Sequence, residues 1–290
     1  MIGLEAAAST LAAGLLLGGM LALAALGLSL VLGVLRLVNL AHGEFLLIGA
    51  YGGFFVLALS GVDPLLALPL IAFATALIGA PLYRYLLQPL MGRGAEAPMM
   101  TTFGVSVALQ NLFLLCFQAD TRSIETRYSS AALNVGPVTV PWIYVAGFAI
   151  SALVCGSLHL LVTRSAFGRD LRASAEDPRT AAVIGVPVDR VRLLTFMLGA
   201  GCAGAGGVLL GLAFSFTPSS GAAYLLDSFA VVILGGLGNI LGTFVAGIAL
   251  GSLQAVGGLL FGDGYRDLVA LALFLGVLAV RPQGLLAARA

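Results

Sequence analysis

Eight separated apolar runs occupy most of the chain, and their lengths constrain its fold more than any other feature of the sequence. A helix needs about 20 apolar residues to cross a bilayer, and several of the runs reach that length. The runs cover residues 11–35, 45–59, 65–82, 99–117, 142–162, 193–214, 225–260 and 268–280. They stay apolar throughout rather than alternating with polar residues, which argues against a membrane β-barrel. The pattern predicts a bundle of membrane-spanning α-helices.

The scarcity of charge leads to the same conclusion. Only 9% of the 290 residues are charged and 60% are hydrophobic, whereas a soluble domain carries about 25% charged residues. Such a chain cannot cover a soluble surface, which excludes a cytosolic enzyme and a disordered protein. A formal net charge of +1 also argues against binding to nucleic acid. We therefore expect an all-α polytopic membrane protein in which residues 1–290 form a single transmembrane domain surrounded by membrane lipid.

Two polar interruptions divide the apolar sequence. Residues 39–44 separate the first two runs, and residues 235–239 divide the seventh. Depending on how these interruptions are treated, we expect eight or nine transmembrane segments with two interrupted helices. Each interruption contains an Asn, Asn39 or Asn239, followed by a Gly and an apolar helix. Because transporters are often built from repeats with broken helices, the similarity predicts an inverted repeat; chance likeness of short glycine-rich segments is the alternative.

The cationic residues indicate an orientation, because cationic loops remain on the cytoplasmic side. All 14 cations are Arg, and six of them lie between residues 164 and 192. With the N-terminus outside and the interrupted seventh run crossing twice, eleven arginines fall on one side and three, Arg122, Arg127 and Arg266, on the other. We therefore place segment 164–192 and the C-terminus in the cytoplasm.

The first interruption contains the strongest group of polar residues: Asn39, His42 and Glu44. Ionisable groups at membrane depth are costly, and a functional role is their default interpretation. Glu44 could contact a substrate ammonium group, or it could compensate the positive end of the following helix while Asn39 caps it. His42 and Glu44 are two residues apart and face different sides of a helix, so a joint catalytic or metal-binding role is not expected. No residue is predicted to be catalytic, to bind a cofactor or to bind a metal.

Polar residues at helical spacing also mark the fourth run. Thr102, Ser106 and Gln110 recur every four residues and share one helix face; they would line a hydrophilic pathway or form hydrogen bonds between helices. Asp227 is expected at the start of a helix, as a charge partner of its N-terminus or, alternatively, as a substrate contact. The candidate translocation pathway comprises Asn39, His42, Glu44, Thr102, Ser106, Gln110 and Asn239.

The charged segment 164–192 contains a local helix signal. Asp177 precedes Pro178, as expected for an N-cap followed by a proline in the first turn. A short helix with Ala181 and Ala182 would then end at Gly185. A compact helix in the most cationic loop suggests a docking element; an ordinary connecting loop is the alternative.

Four motifs resemble the membrane permeases of branched-chain amino acid ABC importers, of the LivH type. They are residues 37–51 (LVNLAHGEFLLIGAY), 168–186 (GRDLRASAEDPRTAAVIGV), 232–242 (VILGGLGNILG) and 281–285 (RPQGL). The first two are long and specific, the last two are shorter, and together they extend over nearly the whole chain in order.

This resemblance implies partners and a site that composition does not reveal. It implies a bacterial inner-membrane subunit that pairs with a second, related permease, two ATPase subunits and a periplasmic or lipid-anchored binding protein. ATP would be hydrolysed by the partners, and substrates would be Leu, Ile, Val or related compounds. The main rival is a proton-coupled secondary transporter that uses Glu44, His42 or Asp227. The segment that would dock the ATPase is Ala175, Glu176, Asp177, Pro178, Arg179, Thr180, Ala181 and Ala182.

Overall fold

A computed structural model describes residues 4–280, and this part of the chain consists mainly of helices. The helices are α1 (Leu4–Leu35), α2 (His42–Ser60), α3 (Pro64–Pro81), α4 (Glu96–Phe117), α5 (Trp142–Arg164), α6 (Ala166–Glu176), α7 (Pro178–Val183), α8 (Val188–Ala213), α9 (Gly221–Gly235), α10 (Ile240–Phe261) and α11 (Arg266–Val280). A π-helical turn, Leu82–Leu87, and a 3-10 turn, Gln88–Leu90, extend α3, and a second 3-10 turn, Asp263–Tyr265, precedes α11. The motif at residues 281–285 and Arg289 lie outside the described residues.

The predicted fold class is confirmed. Within residues 4–280, seven helices are long and apolar enough to cross a membrane, and Gly221–Gly235 is a shorter apolar helix. A small exception lies in the loop between α4 and α5, where β1 (Ala132–Val135) and β2 (Val138–Pro141) form an antiparallel hairpin. Residues 118–141 mix charged residues with Ser, Thr, Asn, Gly and Pro, and this composition indicates only an extramembrane loop there.

Helices α1 and α8 form the centre of the bundle. Within the most apolar window of each helix, 83% of the residues of α1 and 78% of those of α8 are buried, against 11% for α4. Exposed apolar side chains on α3 and α4, such as Leu66 and Leu115, face outward, as expected where lipid replaces protein contacts. The central pair is therefore the scaffold on which the remaining helices pack.

Glycines on α8 explain how this helix becomes central. A Cβ added at Gly207 would overlap the backbone carbonyl of Leu46 on α2, and one at Gly204 would lie 2.7 Å from Cβ of Thr75 on α3. A Cβ at Gly206 would meet Cα of Ala24 on α1 at 2.7 Å. Three neighbours thus approach the backbone of α8 at positions where only glycine fits, as is common between membrane helices.

Both predicted interruptions are confirmed as helix breaks. The first helix ends at Leu35, and Arg36 adopts a left-handed conformation with φ 51°. The second break, between α9 and α10, contains Gly236 and Gly238 with φ 85° and 75°, a region that glycine enters without steric cost.

The start of α9 differs from the prediction. The helix begins at Gly221, six residues before Asp227, so Asp227 does not cap it. The polar segment 214–220 already supplies the turn that precedes the helix, and Ser220 is the residue at the N-cap position.

Long-range hydrogen bonds define the two ends of the bundle. At one end, the amino-terminal end, Ser9 accepts from the backbone N–H of Thr139, and Tyr128 donates to Asp63 over 2.7 Å. Arg122 and Phe216 form a backbone bridge at the same end. At the other end, called the coupling end after the docking element predicted from the sequence, α6 lies beside the first helix break, and α7 follows it.

Candidate functional site

Protein groups satisfy the non-helical backbone between α1 and α2. Thr102 on α4 accepts the N–H of Leu40 over 3.2 Å. Its hydroxyl hydrogen is shared between the carbonyl of Val38 at 3.2 Å and the carbonyl of Met99, on its own helix, at 2.9 Å. The side chain of Thr102 is fully buried. Unpaired backbone groups cost several kcal/mol in an apolar environment, so α4 holds the break in place with a single hydroxyl.

Asn39 and His42 stabilise the same break from within. Oδ1 of Asn39 accepts the N–H of Ala41 over 3.1 Å, just before α2 begins. The ring Nε2 of His42 lies 2.8 Å from the carbonyl oxygen of Ala24 on α1 and donates to it. Both side chains are buried. The N-cap residue of α2 is Ala41, without a side-chain cap, so Asn39 does not cap the helix as expected but bonds within the break that precedes it.

Glu44 faces a different neighbour from His42. Its Oε1 accepts a hydrogen bond of 3.0 Å from the hydroxyl of Ser106 on α4. Its Oε2 is buried and has no hydrogen-bond partner among residues 4–280. The carboxylate belongs to the first turn of α2, where a negative charge is favoured by the helix dipole.

The first turn of α9 closes over Glu44. A Cβ added at Gly221 would lie 2.7 Å from Oε2 of Glu44, and one at Gly43 would overlap the carbonyl of Gly221. The amino-terminal ends of α2 and α9 therefore meet at one carboxylate, the arrangement expected where broken helices face each other in a transporter. Glycine is required on both helices for this approach.

The structure gathers five of the seven predicted pathway residues and separates two. Asn39, His42, Glu44, Thr102 and Ser106 surround the start of α2. Gln110 is half-buried, one helical turn beyond Ser106 on α4.

Asn239 lies elsewhere. It caps α10 by accepting the N–H of Gly242 over 2.9 Å. This cap follows the far end of α9, a helix about 22 Å long at 1.5 Å per residue. The structure therefore pairs the start of α2 with the start of α9 rather than with Asn239, and the inverted repeat stays a prediction.

The predicted helix in the charged segment is present and begins where the sequence indicated. Asp177 is the N-cap of α7: Oδ1 accepts the N–H of Arg179 over 2.9 Å, and Oδ2 accepts the hydroxyl of Thr180 over 2.5 Å. The hydrogen bond from the Thr180 hydroxyl is the largest cause that holds the pKa of Asp177 below its usual range, and the N–H of Arg179 adds to it. The cap thus remains ionised across the physiological pH range and weakens only when the pH falls through that lowered pKa.

Helix α7 presents an apolar surface with cationic surroundings. Val183 is 87% exposed and Ile184 is 71% exposed, whereas Ala181 on the same short helix is buried. Beside it lies a cleft of about 770 Å³ whose lining includes Asp177, Arg179, Arg190 and Arg192. Exposed apolar side chains at the tip of a short, firmly capped helix are typical of an interaction surface.

A hydrogen bond connects this segment to the first helix break. Nη2 of Arg36, the residue that terminates α1, donates to the carbonyl of Ala175 near the end of α6 over 3.2 Å. Arg172 donates to the carbonyl of Val162 at the end of α5. These two hydrogen bonds join α6 to the residue where the polar break begins and to the end of α5.

Sequence reasoning did not identify Arg36 or Gly221 as part of these sites. Arg36 was counted only as a topological charge, and its partner is 139 residues away in the sequence. Gly221 carries no side chain, so no polar pattern reveals it. The segment Thr217–Ser220 could have indicated a helix start there, because Ser and Pro are common turn residues.

Comparisons with known proteins identify relatives along nearly the whole chain. The family model described as the branched-chain amino acid transport system permease component matches residues 10–278. The high-affinity branched-chain amino acid transport system permease protein BraD of Pseudomonas aeruginosa is 33% identical, over 94% of this chain and 93% of its own length. No solved structure matches the chain.

Two further relatives match similar shares of this chain and of their own lengths. The high-affinity branched-chain amino acid transport system permease protein LivH of Escherichia coli is 30% identical, over 94% of this chain and 93% of its own. The probable branched-chain amino acid transport permease protein LivH of Methanocaldococcus jannaschii is also 30% identical, over 92% and 88%. With the match of the family model, these similarities show that the chain belongs to the permease components of branched-chain amino acid transport systems.

Proposed function

We propose that this chain is one permease subunit of an ATP-driven importer for branched-chain or related hydrophobic amino acids. A binding protein delivers the substrate at the amino-terminal end of the bundle, and two ATPase subunits bind at the coupling end. A second, related permease completes the membrane part. The substrate class follows from the names of the relatives BraD and LivH, and the mechanism is alternating access.

The observation that carries the proposal is the exposed tip of α7. Val183 and Ile184 project from a helix that Asp177 caps and that packs through the buried Ala181. A docking element has to transmit force without bending, and a side-chain cap with a proline in the first turn provides that rigidity. The residues proposed to dock the ATPase are 175–182, and we add Val183 and Ile184, which follow them directly, to this docking surface.

The distribution of arginines supports an orientation with the coupling end in the cytoplasm and the N-terminus outside. Among the described residues, nine arginines lie toward the coupling end, and Arg122, Arg127 and Arg266 are the remaining three. Cationic residues are retained on the cytoplasmic side during insertion. The same orientation puts α7 on the side where ATP is available.

We further propose that the residues around Glu44 form a gate in the translocation pathway. Glu44 joins α2, α4 and α9 through Ser106 and Gly221. Thr102 and Asn39 fix the break that precedes it, and Arg36 links that break to α6. Closure of the ATPases would move α6 and α7, and through Arg36 the start of α2, so that the contact between α2 and α9 opens.

The test is reconstitution of the complete transporter with the matched variants Asp177→Ala and Asp177→Asn. Removing an N-cap costs about 0.5–2 kcal/mol, whereas Asn is as good a cap as Asp. We expect Asp177→Ala to uncouple ATP hydrolysis from leucine uptake in proteoliposomes and Asp177→Asn to retain most of the coupling.

Two outcomes would contradict the proposal. If ATP hydrolysis is coupled to leucine uptake equally well in both variants, the cap of α7 plays no part in coupling. Leucine uptake by the wild-type chain without ATPases, driven by a pH gradient, would instead identify a proton-coupled transporter.

A further inference from the structure

A cavity of about 260 Å³ lies among α1, α8, α9, α10 and the start of α11. Four side chains form its apolar wall. Leu17 and Leu21 on α1 are four residues apart and share one helix face, and Leu210 near the end of α8 and Phe214, the extended residue that follows this helix, complete the wall. Leu17 and Leu210 are each only 2% exposed, which makes this wall the closed part of the cavity.

The remaining wall is polar and carries both signs of charge. Asp227 on α9 and Arg266 at the start of α11 both line the cavity, together with Tyr224. Asp227 is the only charged residue in the otherwise apolar sequence of α9, and a lone carboxylate in such a helix is expensive unless it has a function. Asp227 already takes part in an interaction within the chain, so a ligand would share or replace that contact.

The position of the cavity places it on the route from the amino-terminal end. Phe214 is two residues from Phe216, which bridges to Arg122 at that end. Tyr224 is one turn of α9 beyond Gly221, the residue that closes over Glu44. The cavity therefore lies directly beside the proposed gate, on the side where the binding protein would release its substrate.

The chemistry of this lining fits the zwitterion of an aliphatic amino acid. A guanidinium group holds a carboxylate by two parallel hydrogen bonds, and a carboxylate holds an ammonium group. A cavity of about 260 Å³ is large enough for a ligand of the size of leucine. One acid and one base also match a ligand without net charge.

We propose that this cavity is a transient binding site for an aliphatic amino acid on its way through the permease. Arg266 holds the carboxylate, Asp227 holds the ammonium group, and the side chain packs against Leu17, Leu21, Leu210 and Phe214. The proposal rests on the proposed import function and assigns to Asp227 a role that replaces the expected helix cap. No covalent step is involved.

The test uses the reconstituted transporter with its ATPases and leucine-loaded binding protein. Asp227→Asn and Arg266→Gln each remove one charge, and Arg266→Lys keeps the charge without the bidentate geometry. Leucine uptake and ATP hydrolysis are measured in the same proteoliposomes. We expect leucine imported per ATP to fall about 10–100-fold in the first two variants and less in Arg266→Lys, because each of the first two removes a charge that would hold one end of the zwitterion.

The control and the contradicting outcomes separate this site from the import function. Arg127→Gln removes an exposed arginine outside the cavity, and it should leave the ratio of leucine imported to ATP hydrolysed unchanged. An unchanged ratio in both Asp227→Asn and Arg266→Gln overturns the site. Uptake and ATP hydrolysis that fall together at a constant ratio also overturn it, because they indicate a purely structural pair. A wild-type complex that imports no leucine with ATP and loaded binding protein would instead overturn the proposed function.

Discussion

A single buried carboxylate brings three helices together at the start of α2. Glu44 is 4% exposed, receives one hydrogen bond from Ser106 and lies against the backbone of Gly221. Both Glu44 and Ser106 stand out in the sequence as polar residues in apolar surroundings. Their pairing does not, because it joins positions 62 residues apart. In contrast, the cap formed by Asp177 could be predicted in full, since all of its partners lie within three residues.

Ser106→Ala tests whether this contact contributes to stability. A hydrogen bond to a charged group contributes about 1.5–3 kcal/mol, so we expect the variant to lose about that much free energy of unfolding in lipid nanodiscs. In a Glu44→Gln background the cost should be smaller, because the acceptor is no longer charged. Ser157→Ala is the control: that hydroxyl is exposed and bonds only within its own helix, so its effect should stay within about 0.5 kcal/mol. Equal costs of Ser106→Ala in both backgrounds would show that the two residues act independently.

At the scale of elements, the apolar runs predicted where most helices lie but not how they pack. The end of α1 at Leu35 and that of α4 at Phe117 coincide with the ends of two runs, because a change from apolar to polar residues is a local signal. Helix α9 begins at Gly221, four residues before the apolar run that starts at residue 225. The start was misplaced because this first turn consists of small residues and a Tyr, which give no strong apolar signal. The central position of α8 depends on glycines that fit three different neighbours, which hydropathy does not report.

Gly207→Ala and Gly104→Ala form a matched pair for this packing. A methyl group at Gly207 would overlap the backbone of Leu46, whereas nothing lies within 4 Å of a Cβ at Gly104. Overpacking costs about 1–3 kcal/mol, and alanine is favoured over glycine in a helix by about 1 kcal/mol. We expect the thermal unfolding midpoint in detergent to fall for Gly207→Ala and to stay level or rise for Gly104→Ala. Equal midpoints for the two variants would contradict the close contact between α2 and α8.

At the scale of the whole molecule, the arginines concentrated between residues 164 and 192 predict which end faces the cytoplasm, and this orientation stays a prediction. The sequence allows it because its arginines are few and concentrated. It could not predict that the coupling end and the first helix break are joined through Arg36 and Ala175, since that contact arises only when α1 and α6 pack together.

Cysteine labelling in cells tests the orientation. Cys116 is exposed, whereas Cys155 and Cys202 are buried, so Cys116→Ser gives a background with little reactivity. In that background, Ala131→Cys at the hairpin end and Ile184→Cys at the tip of α7 are both exposed positions. A membrane-impermeant maleimide should label Ala131→Cys in intact cells and Ile184→Cys only after permeabilisation. The reverse pattern would place α7 outside.

The shortness of α9 also has a consequence for biogenesis. Its 15 residues extend about 22 Å at 1.5 Å per residue, less than the hydrocarbon thickness of about 30 Å. Its first residue packs on Gly43 and Glu44, and Gly238 beyond its end packs on Gly33. Lipid cannot satisfy the polar backbone at either end, so α9 cannot be a stable span by itself. It has to enter the bilayer together with α10, after α1 and α2 are already in place, and its late position in the chain ensures that order during synthesis.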